Sequence, residues 1–174
     1  MTVTRTALSF LPVRDEPSRN APCAHAERQA ERAAAALEKA EEVCRARQVR
    51  LTPIRRRVLE VLYATHKPLG AYEIAERVAP AGRSMAPITV YRALDFLMEN
   101  GLAHKLASQN AFVGSFHARE AAGITAFLIC EDCGGVDEAG TPDLDGAVAS
   151  LLDREGFAPR AKLVEIVGRC AHCR

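Results

Sequence analysis

The chain has 174 residues, 48% hydrophobic and 26% charged, with a formal net charge of +1, a composition that excludes collagen-like and wholly disordered classes. No run of about 18 apolar residues occurs, and the apolar stretch 8–13 is too short and too soon followed by charge to be a secretory signal, so a cytoplasmic protein with no membrane partner is expected. The near-zero charge conceals a division: residues 45–57 carry six arginines and no acid, and residues 130–155 carry eight acids and one arginine, which fits either a phosphate-binding face or ordinary solvated helix faces.

Residues 1–25 mix Thr, Pro, Arg, Ser and Asn without a period and read as a flexible tail. Over 26–48, Ala33, Ala36, Leu37, Ala40, Val43 and Cys44 fall on one face of a helix, so Cys44 is expected as a small buried hydrophobe. Thr52-Pro53 opens a second helix as an N-cap followed by proline, with the stripe Ile54, Val58, Val61 and Leu62 and an end near Tyr63. His66, before Lys67-Pro68, is expected in an exposed loop. Ala71, Ile74, Ala75 and Val78 mark a third helix that stops before Pro80. Pro87 opens a fourth, with Val90, Leu94, Leu97 and Met98 inward and Arg92 and Asp95 outward, and Asn100-Gly101 closes it. Residues 102–106 and 111–113 then form a hairpin around the turn 107–110. Three helices followed by a hairpin outline a winged helix-turn-helix. Past Gly114, strands are expected over 125–129 and 161–167 with a helix over 144–152 between them. This second unit is too small to bury much apolar surface and calls for a metal, a disulfide or a partner chain.

Cys130-Glu131-Asp132-Cys133 and Cys170-Ala171-His172-Cys173 are two CxxC pairs, each after a predicted strand. Two such pairs can supply a closed tetrahedral set of thiolates, the ligand set of a structural zinc. A redox dithiol is the competing reading, but it uses a single pair at a helix N-terminus. His172 reads as a spacer within the second pair.

Several segments together resemble the ferric uptake regulators, and within that family its zinc uptake regulator branch. They are Ala40-Glu41-Glu42-Val43-Cys44, Arg50-Leu51-Thr52-Pro53 with Arg55-Arg56-Arg57-Val58-Leu59, Gly70-Ala71-Tyr72, Thr89-Val90-Tyr91-Arg92-Ala93-Leu94-Asp95-Phe96-Leu97, His104-Lys105, Asn110-Ala111-Phe112-Val113, and Phe127-Leu128-Ile129-Cys130-Glu131-Asp132-Cys133-Gly134. The resemblance implies an α+β fold in which a winged helix-turn-helix is followed by a small α/β dimerisation domain with a four-cysteine zinc site. The expected organisation is a flexible tail over 1–25, a DNA-binding domain over 26–114, and a dimerisation and metal-binding domain over 115–174. The implied function is zinc-responsive repression of zinc uptake genes by a homodimer on double-stranded operator DNA, with one structural zinc per chain and a second, regulatory zinc.

The resemblance makes the fourth helix the recognition helix. Arg92 is then placed to meet purine O6 or N7, and Tyr91 to meet a base methyl or a phosphate, packing between helices being the alternative for Tyr91. Thr89, Arg55, Arg56 and Arg57 are expected on backbone phosphates. The regulatory site of the zinc branch is matched by His104 and Glu138, but Ser115 stands where a cysteine is expected and Gly123 where a histidine is expected. His117 is expected as the substitute ligand, with Glu120, Cys23, His25 or water completing the shell. The iron- and peroxide-sensing branches use histidine-rich stretches before the first CxxC, whereas residues 115–129 contain only His117. A family member that answers to another metal, or to none, is the alternative. The five histidines form no HExxH, and no nucleophile–base pairing stands out, so no enzymatic activity is expected.

Overall fold

The computed structural model describes residues 24–80, 85–117, 124–160 and 162–174. The expected tail up to Cys23, together with Glu120 and Gly123, lies outside the described residues, as does the side chain of His25. The first half is helical: α1 (Ala24–Ala46), α2 (Pro53–Tyr63), α3 (Ala71–Val78) and α4 (Pro87–Glu99). Thr52 adopts the extended backbone of an N-cap, with Pro53 in the first turn of α2, although its side chain makes no cap hydrogen bond. Proline suits that position because it lacks only an N–H the helix does not use there. Ala36, Ala40 and Cys44 of α1, Val58, Leu59 and Leu62 of α2, Ile74 of α3, and Val90, Leu94 and Leu97 of α4 are buried in one core. Cys44 is thus the small hydrophobe the sequence implies, and burial pushes its thiol pKa up against the opposing charges of Arg47 and Arg55.

A hairpin of β1 (Ala103–Leu106) and β2 (Ala111–Gly114) follows, paired antiparallel from Ala103↔Gly114 to Leu106↔Ala111. Asn110 turns at φ 48°, a left-handed conformation that asparagine tolerates better than most residues. Leu69 and Phe112 exchange both backbone hydrogen bonds, at 2.9 and 2.8 Å, fastening the hairpin to the α2–α3 connection. His66 departs from the exposed loop expected of it. It is half-buried, and its carbonyl accepts the Val136 N–H at 3.2 Å.

The second half comprises β3 (Ala126–Cys130), β4 (Val136–Ala139), α5 (Pro142–Arg154) and β5 (Val164–Gly168). Its sheet has the order β4-β3-β5, with β3 antiparallel to β4 and parallel to β5. The sequence pattern does not predict β4, whose Val-Asp-Glu-Ala is short and acidic. α5 begins earlier than expected because Thr141 caps it, accepting from the Leu144 N–H at 3.2 Å, with Asp143 and Asp145 in the first turn favoured by the helix dipole, and it runs on to Arg154, two residues past the expected end.

Leu106 of the wing packs with Phe127 and Ile129 of β3 in a second small core, flanked by Val113 and Val136. The opposite face is uncovered at Leu128 and Ile166, a register pair that is exposed; Leu151 of α5 and Phe157 after it are exposed as well, and no residue of α5 is buried. Among the described residues, no helix is long and apolar enough to cross a membrane.

Candidate functional site

Parallel pairing of β3 with β5 brings the turns that follow both strands to the same end of the sheet, with Cys130 opposite Gly168. The sulfurs of Cys130, Cys133, Cys170 and Cys173 therefore meet, their ligand atoms all lying within 4.8 Å of one another. Backbone hydrogen bonds shape the turns: Gly134 N–H to the Cys130 carbonyl at 2.9 Å, Glu131 N–H to the Gly168 carbonyl at 2.9 Å, and Cys173 N–H to the Cys170 carbonyl at 3.0 Å. The Gly135 N–H donates to Cys133 Sγ and the Cys170 N–H to Cys130 Sγ, each at 3.4 Å. Burial raises the Cys130 thiol pKa, but N–H groups of Cys133, Cys170 and Asp132 outweigh it and bring it to about 6. Cys173 goes the other way, to about 11, through burial and its hydrogen bonds with Cys170 and Cys130. Four thiols this close cannot all ionise without a cation among them. The all-sulfur set, with two ligands from each tight turn, suits a tetrahedral thiophilic ion such as zinc and leaves no position for water. His172 is exposed, as a spacer should be. Arg169 bridges the two turns, its Nε lying 3.4 Å from Glu131 and 3.3 Å from Asp132.

A second constellation sits between the wing and β4. Glu138, opposite Phe127 in the sheet, has a side chain only 8% exposed. Ser115 Oγ lies 3.1 Å from each carboxylate oxygen, and the Phe116 N–H donates to Oε2 at 3.1 Å. His104 Nε2 approaches Oε1 at 3.5 Å and His117 Nδ1 approaches Oε2 at 3.6 Å, so the two imidazoles address opposite oxygens. Burial alone would raise the Glu138 pKa. The hydrogen bond and charge of His104, the Ser115 bond and the charge of His117 outweigh it and hold the carboxyl below its ordinary value. Tyr63 supports the cluster from α2, its hydroxyl donating to the Ser115 carbonyl at 2.7 Å. The structure thus brings His104, His117 and Glu138 together around a residue read only as a mismatch, Ser115, which is buried. A lone serine beside apolar residues carries no sequence signal for this role.

α4 buries Val90, Leu94 and Leu97 and turns Arg92 and Asp95 to solvent. Tyr91 is 39% exposed and Thr89 half-buried. The three arginines at the start of α2 have partners within the chain. The Arg55 guanidinium stacks 3.6 Å from the centroid of the Phe96 ring on α4 and donates to the Arg50 carbonyl at 2.7 Å. Arg56 donates to Glu60 at 3.0 Å and pairs with Glu41, and Arg57 lies 3.4 Å from Glu60.

The sequence model of the ferric uptake regulator family matches residues 46–167. The chain is similar to the zinc uptake regulation protein of Escherichia coli (strain K12), with 36% identity over 137 residues that cover 79% of this chain and 80% of that protein. Among solved structures it is similar to a zinc uptake regulator complexed with zinc and DNA, with a TM-score of 0.74 and 35% identity over 81% of this chain and 94% of that one. It is also similar to holo XcZur, with a TM-score of 0.71 and 42% identity over 79% of this chain and 95% of that one.

Proposed function

This chain belongs to the ferric uptake regulator family, and on that footing we propose that it is a zinc-responsive, DNA-binding repressor of zinc uptake genes that works as a cytoplasmic homodimer. The observation that carries the reading is the likeness, over four-fifths of the chain, to a zinc uptake regulator complexed with zinc and DNA. Residues 26–114 are the DNA-binding domain, and residues 115–174 are the dimerisation and metal-binding domain. The exposed pair Leu128 and Ile166 on one side of the sheet, with Leu151 and Phe157 exposed on and just after α5, supports a partner chain, since exposed apolar residues in such number mark association surfaces.

Cys130, Cys133, Cys170 and Cys173 hold the structural zinc, which when bound cross-links the turn after β3 to the turn after β5 and contributes roughly 10–16 kcal/mol, as in zinc-finger peptides. His104, His117 and Glu138 form the regulatory metal site, and Ser115 aims the carboxylate toward the two imidazoles. Because His104 lies on the wing and Glu138 on β4, these ligands couple metal occupancy to the angle between the two domains.

In the proposed complex, α4 enters the major groove. Arg92 reads a purine and Tyr91 reaches a base methyl or a phosphate. Thr89, Arg56 and Arg57 meet backbone phosphates, the arginines through guanidinium donors that their Glu60 and Glu41 pairs leave free. Arg55 contributes to the same face chiefly by stacking on Phe96 and steadying α4. Arg92→Ala is expected to weaken operator binding by about 1–3 kcal/mol and to relax preference at one base pair. Full operator preference in that variant would remove α4 from the groove.

The decisive test pairs zinc content per chain with DNA binding during graded chelation. A tightly held ion should remain while a weaker second ion leaves and takes operator affinity with it. DNA binding indifferent to the second ion would overturn the zinc-responsive reading and favour a family member that answers to another metal or to none.

A further inference from the structure

β5 is an apolar strand interrupted by one acid, in the order Val164-Glu165-Ile166-Val167-Gly168. The Glu165 carboxylate is open to solvent and could be satisfied by water alone, so the partners it takes within the chain are informative. Register puts Glu165 opposite Phe127, whose side chain lies in the core shared with Leu106 of the wing, while the next pair, Leu128 and Ile166, is on the exposed face. Glu165 thus projects from the wing side of a strand whose other side is the uncovered apolar surface. Its partners are all at the tip of the wing: the Ala107 N–H donates to Oε1 at 2.7 Å, the Ser108 N–H donates to Oε2 at 3.2 Å, and the Ser108 hydroxyl bonds the same oxygen. Three donors from two consecutive turn residues converge on one carboxylate from the other domain, and charge-assisted bonds of this kind are stronger than neutral ones.

The wing is therefore fixed at both ends. At its base, the Ser115 N–H donates to the Leu102 carbonyl at 3.0 Å and the Leu102 N–H to the Leu97 carbonyl of α4 at 2.8 Å. At its tip stands Glu165. We propose that Glu165 is a positioning residue for DNA recognition, a tether that locks the wing, and α4 behind it, to the dimerisation sheet and so sets the separation of the two recognition helices in the dimer. This rests on the dimeric DNA-binding reading above and goes beyond it by naming what fixes the half-site spacing. The tether belongs to an arrangement similar to that of a regulator with DNA bound, which favours a role in holding the wing for DNA over one in withholding it.

The test compares wild type, Glu165→Ala and Ser108→Ala, all loaded with zinc. The probes are duplexes carrying the palindrome that wild type selects from a random library, together with versions lengthened or shortened by single base pairs between the half-sites. Glu165→Ala should lose about tenfold in affinity for the selected duplex, the scale of lost charge-assisted bonds, and its preference for the native spacing should flatten, with dimer and zinc content unchanged. Ser108→Ala, which leaves β5 untouched, should shift the same way by less. Amide exchange is read in parallel without DNA: the Ala107 and Ser108 N–H groups should be protected in wild type and released in Glu165→Ala. Unprotected amides in wild type, an unchanged spacing preference in both variants, or tighter binding by Glu165→Ala would each overturn the tether. Failure of wild type to select any duplex would instead overturn the DNA-binding reading, and the exchange experiment would still decide whether the tether exists.

Discussion

Replacing Cys130 with serine is expected to leave the second half unfolded and the protein monomeric, with operator binding lost by more than about 100-fold, the scale of removing a structural zinc. Cys130 is the buried sulfur of the quartet. It ends β3, the strand that pairs with both others in its sheet, and accepts the Cys170 N–H that joins the two turns. A serine hydroxyl stays protonated at neutral pH and cannot replace a thiolate ligand, so the ion loses its anchor in the sheet. The remaining buried apolar residues of this half are Ile124, Ala126, Phe127 and Ile129, with help from Leu106 of the wing, far too little to order about 60 residues against their conformational entropy. Size exclusion, zinc analysis and circular dichroism check the outcome together. A folded dimer without the Cys130 sulfur would refute the structural-metal assignment.

Glu138→Gln should separate metal response from folding. The amide retains an oxygen for Ser115 Oγ and the Phe116 N–H, so the hinge should keep its shape, but the negative charge facing His104 and His117 is gone. Affinity of the second metal should fall by about 100-fold or more, beyond the usual 10- to 100-fold cost of losing a supporting residue around a metal, and operator affinity at limiting zinc should fall with it. The zinc of the cysteine quartet should be unaffected. Calorimetric titration of zinc into protein holding only that tight ion reads the result directly. An unchanged second binding step would take Glu138 out of the ligand set.

The helical half was legible because its signals are local. Periodic apolar residues, Thr52-Pro53, Pro87 and Asn100-Gly101 each act within one or two turns of chain. The cysteine quartet was equally legible, since two CxxC pairs after strands leave few alternatives. Contacts between the halves were not. Val136–Ala139 becomes a strand because β3 offers it a partner, against the weak strand preference of Asp137 and Glu138. Glu165 carried no signal beyond an acid in an apolar run, and its partners lie 57 and 58 residues away. Arg55, Arg56 and Arg57 read as candidates for backbone phosphates, and sequence shows their charge but not the Phe96 ring and the acids that also receive them within the chain. Ser115 stood out only where the family pattern failed, and the structure makes it the residue around which Glu138 is held.

Gly114 is the residue on which the join between wing and second half turns. A Cβ at this position would lie 2.6 and 2.7 Å from two ring carbons of Tyr63, and that ring cannot retreat without withdrawing the hydroxyl that grips the Ser115 carbonyl. The glycine is needed here for its lack of bulk rather than for its freedom to bend. Mutational drift can therefore try new chemistries at 115, 116 and 117, exchanging one metal preference for another, while position 114 stays closed to every other amino acid as long as the tyrosine remains. A library built to retune the metal response of this protein should hold Gly114 and Tyr63 constant and randomise Ser115, Phe116 and His117.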